Sequence, residues 1–179
     1  MFLKLSVCFL VLFAAVAIPQ QKDVFRAGSV IPEFGKIASV DSDVKLSADT
    51  ELKICFDVAE KSGAKINRTF DSAARFINVN VDGGADPKKV SVAIVVHGTA
   101  AIDVSKNEFY GNENDGIENP NAAIIAALQK NRTTIYLCGQ TAAWRGIGKE
   151  DLLPGVKLAP SAMTAHALLQ HDGYALCPF

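Results

Sequence analysis

The most regular alternation of apolar and polar positions begins at residue 51. In "ELKICFDVA", Leu52, Ile54, Phe56 and Val58 alternate with Lys53 and Asp57, the period of two that predicts a strand. Beyond Gly63 the period lengthens, and Phe70, Ala73, Ala74, Ile77 and Val81 recur at helical spacing, with Asn67 or Thr69 available as the cap. "DGGADP" ends that helix, and "VSVAIVVHG" follows as a nearly continuous apolar, β-branched run, the mark of a strand buried on both faces of a parallel sheet. The polar stretch "NEFYGNENDGIENPN" reads as a loop and "AAIIAALQKN" as a helix. "TTIYLCG" is the next strand, "VKLAPS" a shorter one, and "SAMTAHALLQHDG" a helix capped by Ser161 and stopped by Gly173. Strands alternating with helices indicate βαβ units with right-handed crossovers. The predicted architecture is an α/β three-layer sandwich with a mostly parallel sheet.

Upstream the pattern differs. "MFLKLSVCFLVLFAAVAIPQQ" carries one early charge at Lys4, an apolar run from Leu5 to Ile18, and Ala15 and Ala17 at A-x-A spacing, so 1–19 reads as a signal peptide. The run is shorter than the roughly 20 apolar residues that span a bilayer, and Cys8 is expected to leave with the peptide. Residues 20–50 mix Pro, Gly, Ser and Asp with scattered apolar positions and turns at Pro32 and Gly35. They are expected to form an N-terminal extension packed on the domain of residues 51–179. The expected location is periplasmic or secreted, with no membrane association after cleavage.

Removal of the leader leaves about 160 residues, enough for one domain with a proper core. Lys and Arg total 18 against 19 Asp and Glu, with no basic stripe or acidic block, which removes nucleic acid from the expected partners. Cys55, Cys138 and Cys177 remain, an odd number that leaves at least one thiol outside any disulfide within the chain. Exported domains that depend on disulfides carry cysteine at higher density, so packing must supply the core. Two sequons, at Asn67 and Asn131, would accept glycan only in a eukaryotic secretory pathway.

Ligands of open parallel sheets bind beyond the carboxyl ends of the strands. Three such ends carry distinctive residues: His97-Gly98, Cys138-Gly139 and Pro160-Ser161. If the strands are neighbours, all three open on one edge and define a pocket. A helix starting near Thr141 would place the Cys138 thiol beside unpaired N–H groups, which favours thiolate. Gly139 lets backbone approach the sulfur, and Arg145 either adds positive charge or points to solvent. The bland alternative is a cysteine acting as a small buried hydrophobe. A pairing of Cys138 with Cys55 or Cys177 is a third possibility. His97 is a candidate base or hydrogen-bond donor to the thiol, or a structural histidine. His166 and His171 lie five apart, which does not make a shared ligand face. Nothing resembles CxxC pairs or HExxH, and neither the P-loop nor GxGxxG pattern occurs, so no metal, nucleotide or other cofactor is expected.

Taken together, "VAIVVHG", "NPN" before an Ala/Leu-rich segment, "IYLCGQTAAWRGI", "DLLPGV" and "LLQHDGYAL" resemble the DsrE/DsrF-like family. The similarity covers about residues 24–179, with "EFGKIASV" and "LKICFDV" included. It implies a flavodoxin-like fold of the YchN-like type and assembly into a homo-oligomer, a trimer or hexamer. In sulfur-relay members of that family, a cysteine followed by small residues and "RG" carries sulfur as a persulfide. Cys138, with Arg145-Gly146-Ile147 at the matching distance, takes that place, while His97 and Asn119 align with motifs of exported relatives. The implied function is an exported sulfur-handling protein, a sulfur carrier or sulfurtransferase acting through Cys138 with a small sulfur species or a sulfur-carrier protein as partner. The alternative is a non-catalytic oligomeric module that binds a small ligand and keeps the cysteine for structure. Candidate pocket residues are Gly98, Asn119, Gly139, Arg145 and Ser161 beside Cys138 and His97. The departure from the family is the leader, which would deliver a persulfide to an oxidising compartment.

Overall fold

The computed structural model describes residues 24–177; the leader expected over 1–19 lies outside them. Two short strands come first, β1 (Phe25–Arg26) and β2 (Ile37–Ala38), paired antiparallel. β3 (Leu52–Val58), α1 (Arg68–Asp82) and β4 (Val90–Val96) follow, then a 3-10 segment at Gly98–Val104, α2 (Asn107–Asn112) and α3 (Ala122–Lys130). β5 (Thr134–Cys138), α4 (Gly139–Arg145), β6 (Lys157–Ala159), α5 (Ala162–His171) and β7 (Ala175–Cys177) complete the described chain. β3 to β7 form one sheet, parallel throughout, in the order β6-β5-β4-β3-β7.

The sheet is covered on both faces, giving the three layers that the hydrophobic pattern predicts. Val90, Val92, Ile94 and Val96 of β4 pack towards α1 and α3, and Ala93 and Val95 pack towards α5. That double burial explains the unbroken apolar run of β4. The layer under α5 is built from small residues, Ala93, Ala159 and Ala165 among them, so α5 lies close to the sheet. Phe56 and Val58 of β3 point to the α1 face, which puts Cys55 and Asp57 under α5. The polar slots of β3 therefore do not face open solvent; Cys55 is only 1% exposed.

Residues 24–50 are held against α1 by Asn78, with Asp71, Arg75 and Asp82 bonding further along the segment. Asn78 is fully buried; its Oδ1 accepts from the Ile31 N–H at 2.8 Å, and its Nδ2 donates to the carbonyls of Ile31, Phe34 and Gly35. Gly35 adopts φ +62°, and a Cβ there would lie 2.2 Å from the Arg75 nitrogen, so the approach of this segment to α1 requires glycine.

The structure adds elements to the sequence reading. The stretch read as loop contains α2, and β7 follows the stop at Gly173. α4 begins at Gly139 rather than near Thr141, because Cys138 itself takes the N-cap position with an extended backbone. No helix among the described residues is long and apolar enough to cross a membrane.

Candidate functional site

β4, β5 and β6 are adjacent and parallel, so the turns after His97, Cys138 and Pro160 open side by side on the carboxyl edge of the sheet. Val96 pairs with Leu137, and Cys138 pairs with Ala159. Leu137 points to the α1 and α3 layer, so Cys138 points to the α5 side. There it lies between the first turns of two helices.

Cys138 is 6% exposed, and burial by itself would raise its pKa. The N–H and hydroxyl of Thr141 and the N–H groups of Ala162 and Gln140 outweigh burial and lower the thiol below its ordinary value. The side chain makes no capping hydrogen bond to α4 in this geometry. The same donors favour the ionised form because a full negative charge draws on N–H dipoles more strongly than a neutral thiol does. The site thus stores stabilisation for a thiolate.

The neighbouring candidates mostly build this arrangement. Ser161 caps α5 by accepting from the Thr164 N–H at 3.0 Å, which fixes the first turn that carries the Ala162 N–H. Gly139 is required by close packing, since a Cβ there would lie 2.6 Å from the Ala159 carbonyl oxygen. Gly98, at φ +58°, donates its N–H to Thr141 Oγ1 at 3.4 Å, leaving the Thr141 hydroxyl hydrogen for the sulfur. Arg145 is turned away from solvent, its side chain 13% exposed. Its Nε donates to the Gly98 carbonyl at 3.1 Å and its Nη1 to Glu113, tying α4 to the segment after β4.

Asn119 belongs elsewhere. Its Nδ2 donates to the carbonyls of Asp103 and Ser105, and its Oδ1 accepts from the N–H and Nδ2 of Asn121. With donors and acceptor so occupied it has little capacity for a ligand, and it serves to order the segment before α3. Asn67, the first sequon, is 5% exposed and caps α1 through Thr69, so folding hides it.

The structure pairs His97 with Asp57 rather than with the thiol. His97 Nε2 lies 3.1 and 3.2 Å from the two Asp57 oxygens, and His166 Nε2 lies 2.7 Å from Asp57 Oδ1. His166 Nδ1 is 3.5 Å from Cys55 Sγ. Burial raises the Asp57 carboxyl, but hydrogen bonds and charge from His166 and His97 more than reverse this, and its pKa is lowered. Cys55 moves the other way: burial first, then the charges of Asp57 and Cys177, push it up to about 12, so it remains a thiol.

Cys55 and Cys138 carry free thiols. Cys55 faces α5 whereas Cys177 packs with the α1 layer, so the sheet separates them. No group of three or more His, Cys, Asp or Glu side chains among the described residues is arranged to hold a metal ion. A cleft of about 500 Å³ opens beyond β3, lined by residues including Asp57, Lys61, Lys65 and Arg68; Cys138 does not line it.

Sequence reasoning missed Asp57 and His166. Asp57 reads as one polar slot of an alternating strand, and His166 has neither a ligand-face spacing to His171 nor a metal-site motif with His97 and Cys138. The available signal was parity, since Cys55 and Asp57 share a strand face and His166 lies on the helix just before β7.

The fold resembles that of MTH1491, a protein of unknown function from Methanobacterium thermoautotrophicum, with a TM-score of 0.52 at 15% identity over 72% of this chain and 100% of that one. It also resembles YchN from E. coli, with a TM-score of 0.51 at 15% identity over 72% of this chain and 99% of that one. No curated protein matches the sequence. The match that assigns the chain comes from the sequence itself: residues 53–179, which hold the whole parallel sheet except its first residue, fit the model of the DsrE/DsrF-like family, and the chain belongs to that family.

Proposed function

We propose that this chain is an exported sulfur-handling protein that accepts sulfane sulfur on Cys138 as a persulfide and passes it to another nucleophile. The observation that carries the reading is the set of donors from α4 and α5 that lowers the Cys138 thiol. Thiolate is the attacking form in sulfur exchange, and the same donors receive the thiolate that is regenerated when sulfur leaves. The family is associated with sulfur relay, which supports the chemistry. The leader-like segment 1–19 supports export to the periplasm or outside the cell. The donor would be a small sulfur species or a sulfur-carrier protein.

We further propose a homo-oligomer, a trimer or hexamer. Its support is the exposure of large apolar side chains on α4 and α5, Trp144 at 81%, Met163 at 79% and Leu168 at 60%.

The low exposure of Cys138 favours a second reading, a non-catalytic oligomeric module that binds a small ligand and uses the cysteine for packing. Uptake of labelled sulfur from polysulfide separates the two. The carrier reading expects stoichiometric label on the parent protein and none on Cys138→Ser; equal labelling of both would end it.

A further inference from the structure

Beside Cys138, under α5, lies a cluster that formation of the persulfide does not use. Val96 pairs with Leu137 across the parallel ladder, and the residues one step beyond, His97 and Cys138, both follow side chains directed to the α1 layer. Both therefore stand at the carboxyl edge on the α5 side, one strand apart. His97 and His166 each direct Nε2 at the Asp57 carboxylate.

An ionised carboxylate only accepts, so each Nε2 facing Asp57 carries hydrogen, and in the neutral form of either ring the lone pair is left on Nδ1. In His166 that lone pair meets the Cys55 thiol at 3.5 Å. In His97 it meets no hydrogen-bond partner among the described residues, and the side chain is 33% exposed. The result is an imidazole oriented by an acid, at the end of the strand beside Cys138.

We propose that His97 is the base that takes the proton from an acceptor thiol as that thiol removes sulfur from Cys138, and that Asp57 is the positioning residue that fixes the His97 tautomer. This rests on the persulfide reading. His97 Nδ1 takes the thiol proton, and the thiolate forms a bond to the outer sulfur of the Cys138 persulfide. The S–S bond to Cys138 breaks, its electron pair staying on Cys138 as thiolate beneath the N–H groups of Ala162, Thr141 and Gln140. The outer sulfur keeps its proton and leaves on the acceptor as a new persulfide; the imidazolium, facing Asp57, returns its proton to water. No external oxidant or reductant is needed. Among titratable groups, Asp57 from β3 contacts both His97 and His166 of α5; Arg145 of α4 is directed to Gly98 and Glu113.

The test compares two acceptors on protein loaded with polysulfide: glutathione, which must lose a proton, and sulfite dianion, which has none to lose. His97→Ala and Asp57→Asn should slow discharge to glutathione about 100-fold relative to discharge to sulfite, the ordinary scale of general-base assistance. The deficit should close as pH rises past the thiol's own pKa of about 8.5, and added imidazole should restore His97→Ala. His97→Gln, which keeps the bulk of the ring, should behave as His97→Ala does. An unchanged glutathione-to-sulfite ratio in both the His97 and Asp57 variants would overturn the inference, as would equal loss with both acceptors. Failure of the parent protein to load at all would overturn the persulfide reading, and this inference with it.

Discussion

Cys138 and Gly139 occupy two adjacent positions with opposite demands, the first for a polarisable side chain among N–H groups and the second for no side chain at all. A Cβ on Gly139 would lie 2.6 Å from the Ala159 carbonyl oxygen, and that backbone has no flexible end to move aside. Gly139→Ala is expected to cost about 1–3 kcal/mol in urea denaturation and to displace the first turn of α4 from the sulfur. The lowered Cys138 thiol also ties stability to pH. A group whose pKa falls on folding contributes above its unfolded pKa, about 8.5 for cysteine, and loses that contribution as pH falls through the folded value. The stability advantage of the parent protein over Cys138→Ser should therefore grow as pH rises towards 8.5 and then level off; an advantage that shrinks over that range would contradict the lowered pKa. The place of Cys138 at a strand end before a helix was legible in the sequence, because the apolar run of β5 stops at Cys-Gly, although the helix begins at Gly139 rather than near Thr141. Asp57 was not, because a lone acid in an alternating strand gives no sign of which histidines, 40 and 109 residues away, the fold will bring to it.

Elements were legible in proportion to how strongly their own pattern specified them. The double-sided burial of β4 and the caps at Asn67 and Ser161 follow from local rules. The three-residue β7 and six-residue α2 are too short to establish a period, and pairing with β3 and contact with the 3-10 segment define them instead. Residues 24–50 show the same limit, with no regular pattern of their own and a position set by α1. Asn78 sits on the buried face of α1, where periodicity calls for an apolar residue, because it satisfies four backbone groups of that segment. Asn78→Ala would leave several of them unpaired at about 1–3 kcal/mol each. Limited proteolysis should then cut within residues 24–50 well before the sheet; unchanged protection would mean that Ile31 and Ile37 hold the segment by packing alone.

At the scale of the molecule, the sheet and the two helices that follow β5 and β6 bring donors, acid, imidazole and thiol to one edge. The fold family was legible from ordered motifs spread over the chain, whereas the assembly state depends on surfaces that no motif describes. Trp144, at the exposed end of α4, tests the proposed oligomer: Trp144→Ser should shift the mass measured by light scattering towards the monomer, and an unchanged mass would place the interface elsewhere. The central claim is that Cys138 carries sulfur, and the most direct measurement is intact and peptide mass spectrometry of the mature protein, non-reduced, after brief exposure to polysulfide and to thiosulfate. The account predicts a reducible sulfur adduct on the Cys138 peptide, absent from Cys138→Ser and from the Cys55 peptide. An unmodified Cys138, under conditions where a small thiol reacts, would contradict it and leave the cysteine as a packing residue.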